Sequence, residues 1–165
     1  MLKPLQERRS ALHAPMQSPL QATDSVDAAE KNKRTFAGGC HCGAVRFEVD
    51  IAPAAQTRKC NCSFCTKTRF WKTFASTADF RLLAGADCLT DYQFGEGNVH
   101  HYFCSRCGVR PFARTETGDA GNDLYAINIA CLEGANVDML RTAPVRYEDG
   151  RNDDWWAVPA ETQQL

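Results

Sequence analysis

The sequence predicts a small, mainly β fold, and three observations predict it. Short runs of alternating apolar and polar residues recur, with Gly, Pro or Asn turn signals between them. Helical periodicity is scarce, so only a few short helical turns are expected. Most of the nine cysteines fall into three tight clusters, Cys40-His41-Cys42, Cys60-Asn61-Cys62-Ser63-Phe64-Cys65 and Cys104-Ser105-Arg106-Cys107. A chain of 165 residues with 44% hydrophobic side chains can bury one core, so one domain is expected.

Residues 1–34 are polar and mixed in charge, interrupted by Pro4, Pro15 and Pro19, and are expected to form a flexible N-terminal extension. The domain is expected over residues 35–165. It opens at Thr35-Phe36-Ala37-Gly38-Gly39, and glycines on both sides of Cys40 and Cys42 predict a bend there. In a flat strand a C-x-C pair would aim its thiols at opposite faces. Ala44 to Val49 alternates, with Val45, Phe47 and Val49 on one face of a half-buried strand. Thr73 to Ser76 reads as a strand, and Asp79 to Leu83 as a strand or short turn stopped by Gly85. Leu89 to Phe94 alternates again and ends at the turn-forming Gly95-Glu96-Gly97-Asn98. His100 to Phe103 leads a strand into Cys104-Ser105-Arg106-Cys107-Gly108. Leu124 to Ala130 is the most β-like run, and Val137 to Leu140 a short helical turn.

Dense cysteine clusters in a chain whose first residues lack the apolar core of a secretory signal point to metal rather than disulfides, in a reducing, cytoplasmic compartment. The seven clustered thiols divide as four plus three. Four thiolates close a tetrahedral zinc site, and three leave a position open, as in catalytic zinc, so two zinc ions per chain are expected. Spacing alone leaves two partitions open. Cys40 and Cys42 can join Cys104 and Cys107, or they can join two of the middle trio. Glycine beside both outer pairs, and the long loop they would close, favour the first. Cys88 and Cys131 lie outside the clusters and read as buried small apolar residues. A net charge of -1 and a pI of about 6.4 provide no global positive field, so nucleic acid is not an expected partner. No apolar run has the length of a membrane-spanning helix.

Together, Gly38-Gly39-Cys40-His41-Cys42-Gly43, the Cys60–Cys65 cluster and Phe103-Cys104-Ser105-Arg106-Cys107-Gly108 resemble the glutathione-dependent formaldehyde-activating enzyme family, whose domain centromere protein V shares. The match spans roughly residues 36 to 158. The resemblance implies a zinc-stabilised, Mss-four-like β fold. It implies a structural zinc on Cys40, Cys42, Cys104 and Cys107, and a second zinc on Cys60, Cys62 and Cys65 where a thiol substrate binds. It further implies a carbon–sulfur lyase activity that joins glutathione and formaldehyde into S-hydroxymethylglutathione. Glutathione carries two carboxylates, so Lys67 and Arg69 are candidate substrate contacts, with Trp71 a candidate pocket wall. His41, His100 and His101 are candidates for coordination or proton transfer. Of His100 and His101, neighbours on one strand, one should face outward. The competing reading is a non-catalytic glutathione carrier or zinc-binding interaction module, in which the trio binds without accelerating a reaction.

Overall fold

A computed structural model describes residues 32–52, 55–116, 123–134 and 137–165. The extension expected at the N-terminus lies, except for its last three residues, outside the described residues. Among the described residues, eleven strands form two sheets. The strands are β1 (Arg34–Gly39), β2 (Arg46–Ile51), β3 (Thr57–Cys60), β4 (Lys72–Ser76), β5 (Phe80–Ala84), β6 (Leu89–Tyr92), β7 (Val99–Cys104), β8 (Phe112–Thr115), β9 (Leu124–Asn128), β10 (Leu132–Glu133) and β11 (Val145–Glu148). Among the described residues, helices are confined to α1 (Ser63–Thr68), α2 (Val137–Arg141) and three single 3-10 turns. No helix among the described residues is long and apolar enough to cross a membrane.

The smaller sheet has the order β10-β1-β2-β5, and the larger the order β11-β3-β4-β9-β8-β7-β6. All pairings are antiparallel except β11 with β3. The expected strand at residues 44–49 is β2, and its alternation is realised: Val45, Phe47, Val49 and Ile51 are all buried. Across from them lie Ala75, Phe112 and Ile127 of the larger sheet, and α2 adds Val137 and Leu140 to the same core. Aromatic rings join the sheets. Phe47 meets Phe112 edge-on at 5.5 Å between centroids, and Phe80 stacks on Tyr125 at 3.9 Å.

A strand shows one face to each side, so the larger sheet has a second face. On β4, Thr73 and Ala75 point to the main core while Lys72 and Phe74 point away. The same parity sends Phe112 and Ile127 inward and Ala113 and Ala126 outward. The outward residues build a second, smaller cluster with Cys60, Cys65 and Phe70, and this face carries the site. We expect Phe47→Ala to lower stability by about 3–5 kcal/mol, because it removes the ring on which both sheets pack. Urea unfolding measures this, with the exposed Leu83→Ser as a control expected within about 0.5 kcal/mol of the unchanged chain.

Candidate functional site

The structure brings seven thiols into two groups, and all the described cysteines are free of disulfides. Cys40 and Cys42 lie on the turn between β1 and β2, and Cys104 and Cys107 on the turn between β7 and β8. Each sheet therefore contributes one pair. Gly108 takes φ +72°, which lets the chain reverse after Cys107, and its N–H donates to the Cys104 carbonyl at 2.8 Å. The Val45 N–H donates to Cys40 Sγ at 3.3 Å. Cys42 Sγ is 3.6 Å from Cys40 Sγ and 3.7 Å from Cys104 Sγ. A four-thiolate tetrahedron with Zn–S bonds of about 2.3 Å has edges of about 3.8 Å, so these sulfurs fit such a metal. Backbone N–H groups of Cys42 and Val109 bring the Cys107 thiol down to about 6, which suits a ligand needed as thiolate.

Cys60, Cys62 and Cys65 form the second group, with sulfurs within 4.8 Å of one another. Cys60 ends β3. Cys62 is the N-cap of α1, where its Sγ accepts from the Cys65 N–H at 3.3 Å. The Cys60 and Cys65 thiols and that N–H converge on Cys62 and hold it down to about 2, while Cys60 and Cys65 are pushed up. These three offer a soft, convergent donor set that fits a metal and supplies only three ligands.

The trio opens on a cavity of about 360 Å³. Its floor is one cross-strand row on the outer face of the larger sheet: Phe74 of β4 opposite Ala126 of β9, Ala126 opposite Ala113 of β8, and Ala113 opposite His101 of β7. Two alanines between two rings leave a hollow in the middle of the row. Phe70, Phe94, Val99 and Trp155 complete an apolar wall. Four charged side chains break it. Glu148 is buried and accepts from Arg58 at 2.9 Å and Lys72 at 2.8 Å. The fourth is Arg110, also buried, whose guanidinium lies over the Phe70 ring at 3.6 Å. Burial draws it down to about 10, and the Cys65 sulfur acts in the opposite sense. His101 is drawn down to about 4 by burial and by Arg110, so it is neutral near pH 7.

The structure places the expected contacts elsewhere. Lys67 and Arg69 are exposed at the end of α1 and do not line the cavity. Trp71 has the parity of Thr73 and packs on the main core. The cations that do line it are Arg58, which precedes Cys60 on β3, Lys72 of β4 and Arg110 of the loop before β8. The sequence carried one signal for Lys72: it shares a strand face with Phe74, where an unpaired lysine would be out of place. Of the described histidines, His41 is exposed, His100 pairs with Asp91 at 2.6 Å, and only His101 lines the cavity. Cys88 and Cys131 are buried, as expected, and burial pushes Cys131 up to about 12.

The loop after β11 closes the site. Asn61 donates to Asp149 Oδ1 at 2.6 Å, and its own Oδ1 accepts from the Arg151 N–H at 2.9 Å. Gly150 is pressed so close that a Cβ would sit 2.6 Å from Cys60 Sγ and 2.9 Å from the Trp155 ring. We therefore expect Gly150→Ala to weaken metal binding at the trio by roughly tenfold or more and leave the four-sulfur group intact. Cobalt(II) titration followed by its thiolate absorption checks this, and an unchanged titration would contradict the packing described.

Comparison with known proteins agrees with this architecture. Residues 35–147 match the family model described as glutathione-dependent formaldehyde-activating enzyme. A Halomonas elongata protein, provisionally named a glutathione-dependent formaldehyde-activating enzyme, is 36% identical over 78 residues, which is 42% of this chain and 50% of the relative. The chain thus spans about half the length of that curated relative. A crystal structure of a Rhodobacter sphaeroides protein is 37% identical and superposes with a TM-score of 0.56, covering 67% of this chain and 99% of the other. With the family model covering more than half of its length, the chain belongs to the glutathione-dependent formaldehyde-activating enzyme family.

Proposed function

We propose that the chain is a zinc-dependent carbon–sulfur lyase that forms and cleaves the adduct of glutathione, or a similar small thiol, with formaldehyde or another small aldehyde. The observation that carries this reading is the cavity, which opens on the three sulfurs and takes none of its lining from the other four. In this reading Cys40, Cys42, Cys104 and Cys107 hold a structural zinc, and Cys60, Cys62 and Cys65 hold a second one. Zinc on three protein sulfurs would keep a substrate thiol ionised near neutral pH and draw electron density from a carbonyl beside it.

The chain's own residues do the rest. The apolar floor and Trp155 exclude water from the reacting atoms. Three cations against one carboxylate line the cavity. The surplus of positive charge offsets three thiolates around a dication and favours an anionic thiol over a neutral one. Binding both reactants in one hollow replaces a bimolecular encounter with a held geometry.

The test follows S-hydroxymethylglutathione formation by NMR exchange, with the chain and with free glutathione and formaldehyde alone. The expected result is acceleration that saturates with glutathione; a rate equal to that of the free thiol would sink the reading and leave a carrier. Cys62→Ser is expected to lose one zinc and the acceleration while keeping the fold. Cys104→Ser should unfold the domain, since structural zinc contributes folding free energy directly. Ala126→Leu should fill the hollow, retain both metals and stability, and weaken glutathione binding by at least about tenfold, on the usual cost of displacing a ligand group.

A further inference from the structure

His101 and Arg110 line the cavity beside the sulfur trio, Arg110 next to Cys65. Arg110 Nη2 lies 2.6 Å from His101 Nδ1. A guanidinium has only donors, so Nδ1 is the acceptor and the ring proton resides on Nε2. His101 Nε2 is buried and has no hydrogen-bond partner among the described residues, and the same holds for Arg110 Nε and Nη1. Both side chains are more than nine-tenths buried, His101 at 5% and Arg110 at 8% exposure. A buried donor without an acceptor loses about 1–3 kcal/mol, so adjacent orphan donors in an apolar hollow point to a ligand acceptor. Their positions are fixed in advance. Phe94 stacks on His101 at 5.3 Å and Phe64 lies 4.4 Å from it, while Phe64 and Phe70 flank the guanidinium.

We propose that His101 and Arg110 form an oxygen-binding subsite of the cavity, in which the His101 Nε2–H donates to the aldehyde oxygen and the guanidinium stabilises the negative charge that grows there. This rests on the reading of the trio as a thiol site. In the forward step the thiolate sulfur gives an electron pair to the carbonyl carbon, a carbon–sulfur bond forms, and the carbon–oxygen π pair moves to oxygen. Solvent water then protonates that oxygen, returning the proton the thiol released to solvent on ionising. His101 stays neutral throughout, because its Nδ1 accepts from the guanidinium and has no room for a second ring proton. Its role is that of a fixed dipole rather than a general acid. Arg110 also positions His101, because its hydrogen bond to Nδ1 selects the tautomer with the ring proton on Nε2.

The test uses the full, zinc-loaded chain. Nitrogen NMR of His101 is expected to show protonated Nε2 and bare Nδ1, unchanged from pH 5.5 to 8. Acetate, a small oxyanion without a thiol, is expected to shift the His101 Nε2–H resonance on titration. His101→Leu should lower kcat by on the order of a hundredfold, as loss of one oxyanion donor does. Its metal content and glutathione affinity should stay within about twofold, and His101→Gln, which restores an N–H, should recover at least about a tenth of the activity. Arg110→Met should turn His101 into a mixture of tautomers. Equal losses in kcat and glutathione affinity would overturn the proposal, since the subsite would then serve a carboxylate of the thiol. So would protonated Nδ1, or a kcat insensitive to His101→Leu. If the wild-type chain shows no turnover but acetate still titrates the His101 resonance, the oxygen subsite stands and the lyase reading falls. If turnover is normal and acetate has no effect at His101, the reverse holds.

Discussion

The structure depends on two turns meeting. Cys40 and Cys42 belong to the smaller sheet, Cys104 and Cys107 to the larger, and neither turn can complete a set of four sulfurs alone. Cys42 and Cys104 are 62 positions apart in sequence, so drawing them together closes a long loop and restricts the unfolded chain. The same approach seats Phe47 of the smaller sheet against Phe112 of the larger. Sulfur contact and aromatic packing are two consequences of one docking of sheet on sheet. With that docking in place, the parity of each strand in the larger sheet is settled, and its outer face is free to be something other than core.

What that face becomes follows from size and charge. Alanine at 113 and 126 keeps the middle of the floor low, where larger aliphatic residues would have filled it. Glu148 would be expensive to bury alone, and its pairing with the half-buried Arg58 and the buried Lys72 satisfies it. Removing one partner from such a group destabilises more than replacing all three, so the charge cluster is a constraint on the sequence as well as a feature of the cavity. The orphan donors of His101 and Arg110 lie on this same face.

Much of the architecture was legible in the sequence. The alternation of Val45, Phe47 and Val49 names the inner face of β2, and glycine beside each outer thiol pair marks the bends. The gathering of thiols as four and three also follows from clusters visible in the chain. The helix at Ser63–Thr68 was not legible, because six residues are too few to display a period, and its start is signalled only by Cys62 acting as a cap. The neighbours of the trio misled for the same reason. α1 turns Lys67 and Arg69 outward, while the strand that follows places Lys72 on the cavity side and parallel pairing brings Glu148 from far along the chain. That one of His100 and His101 faces inward follows from period two. Which one does, and that Arg110 meets it, depends on register between β7 and β8, which no local pattern encodes.

The single parallel pairing in the larger sheet has a consequence for the order in which the molecule can be made. Glu148 of β11 lies opposite Cys60 of β3, and Arg58 reaches Glu148 across 90 positions of sequence. A ribosome delivers the trio early and its wall late. Until the segment from Val145 to Trp155 has left the exit tunnel, Cys60 lacks its neighbour Gly150, Lys72 lacks its carboxylate, and β3 is an open edge. The outer face of the larger sheet is thus complete only once β11 and the loop after it have been made.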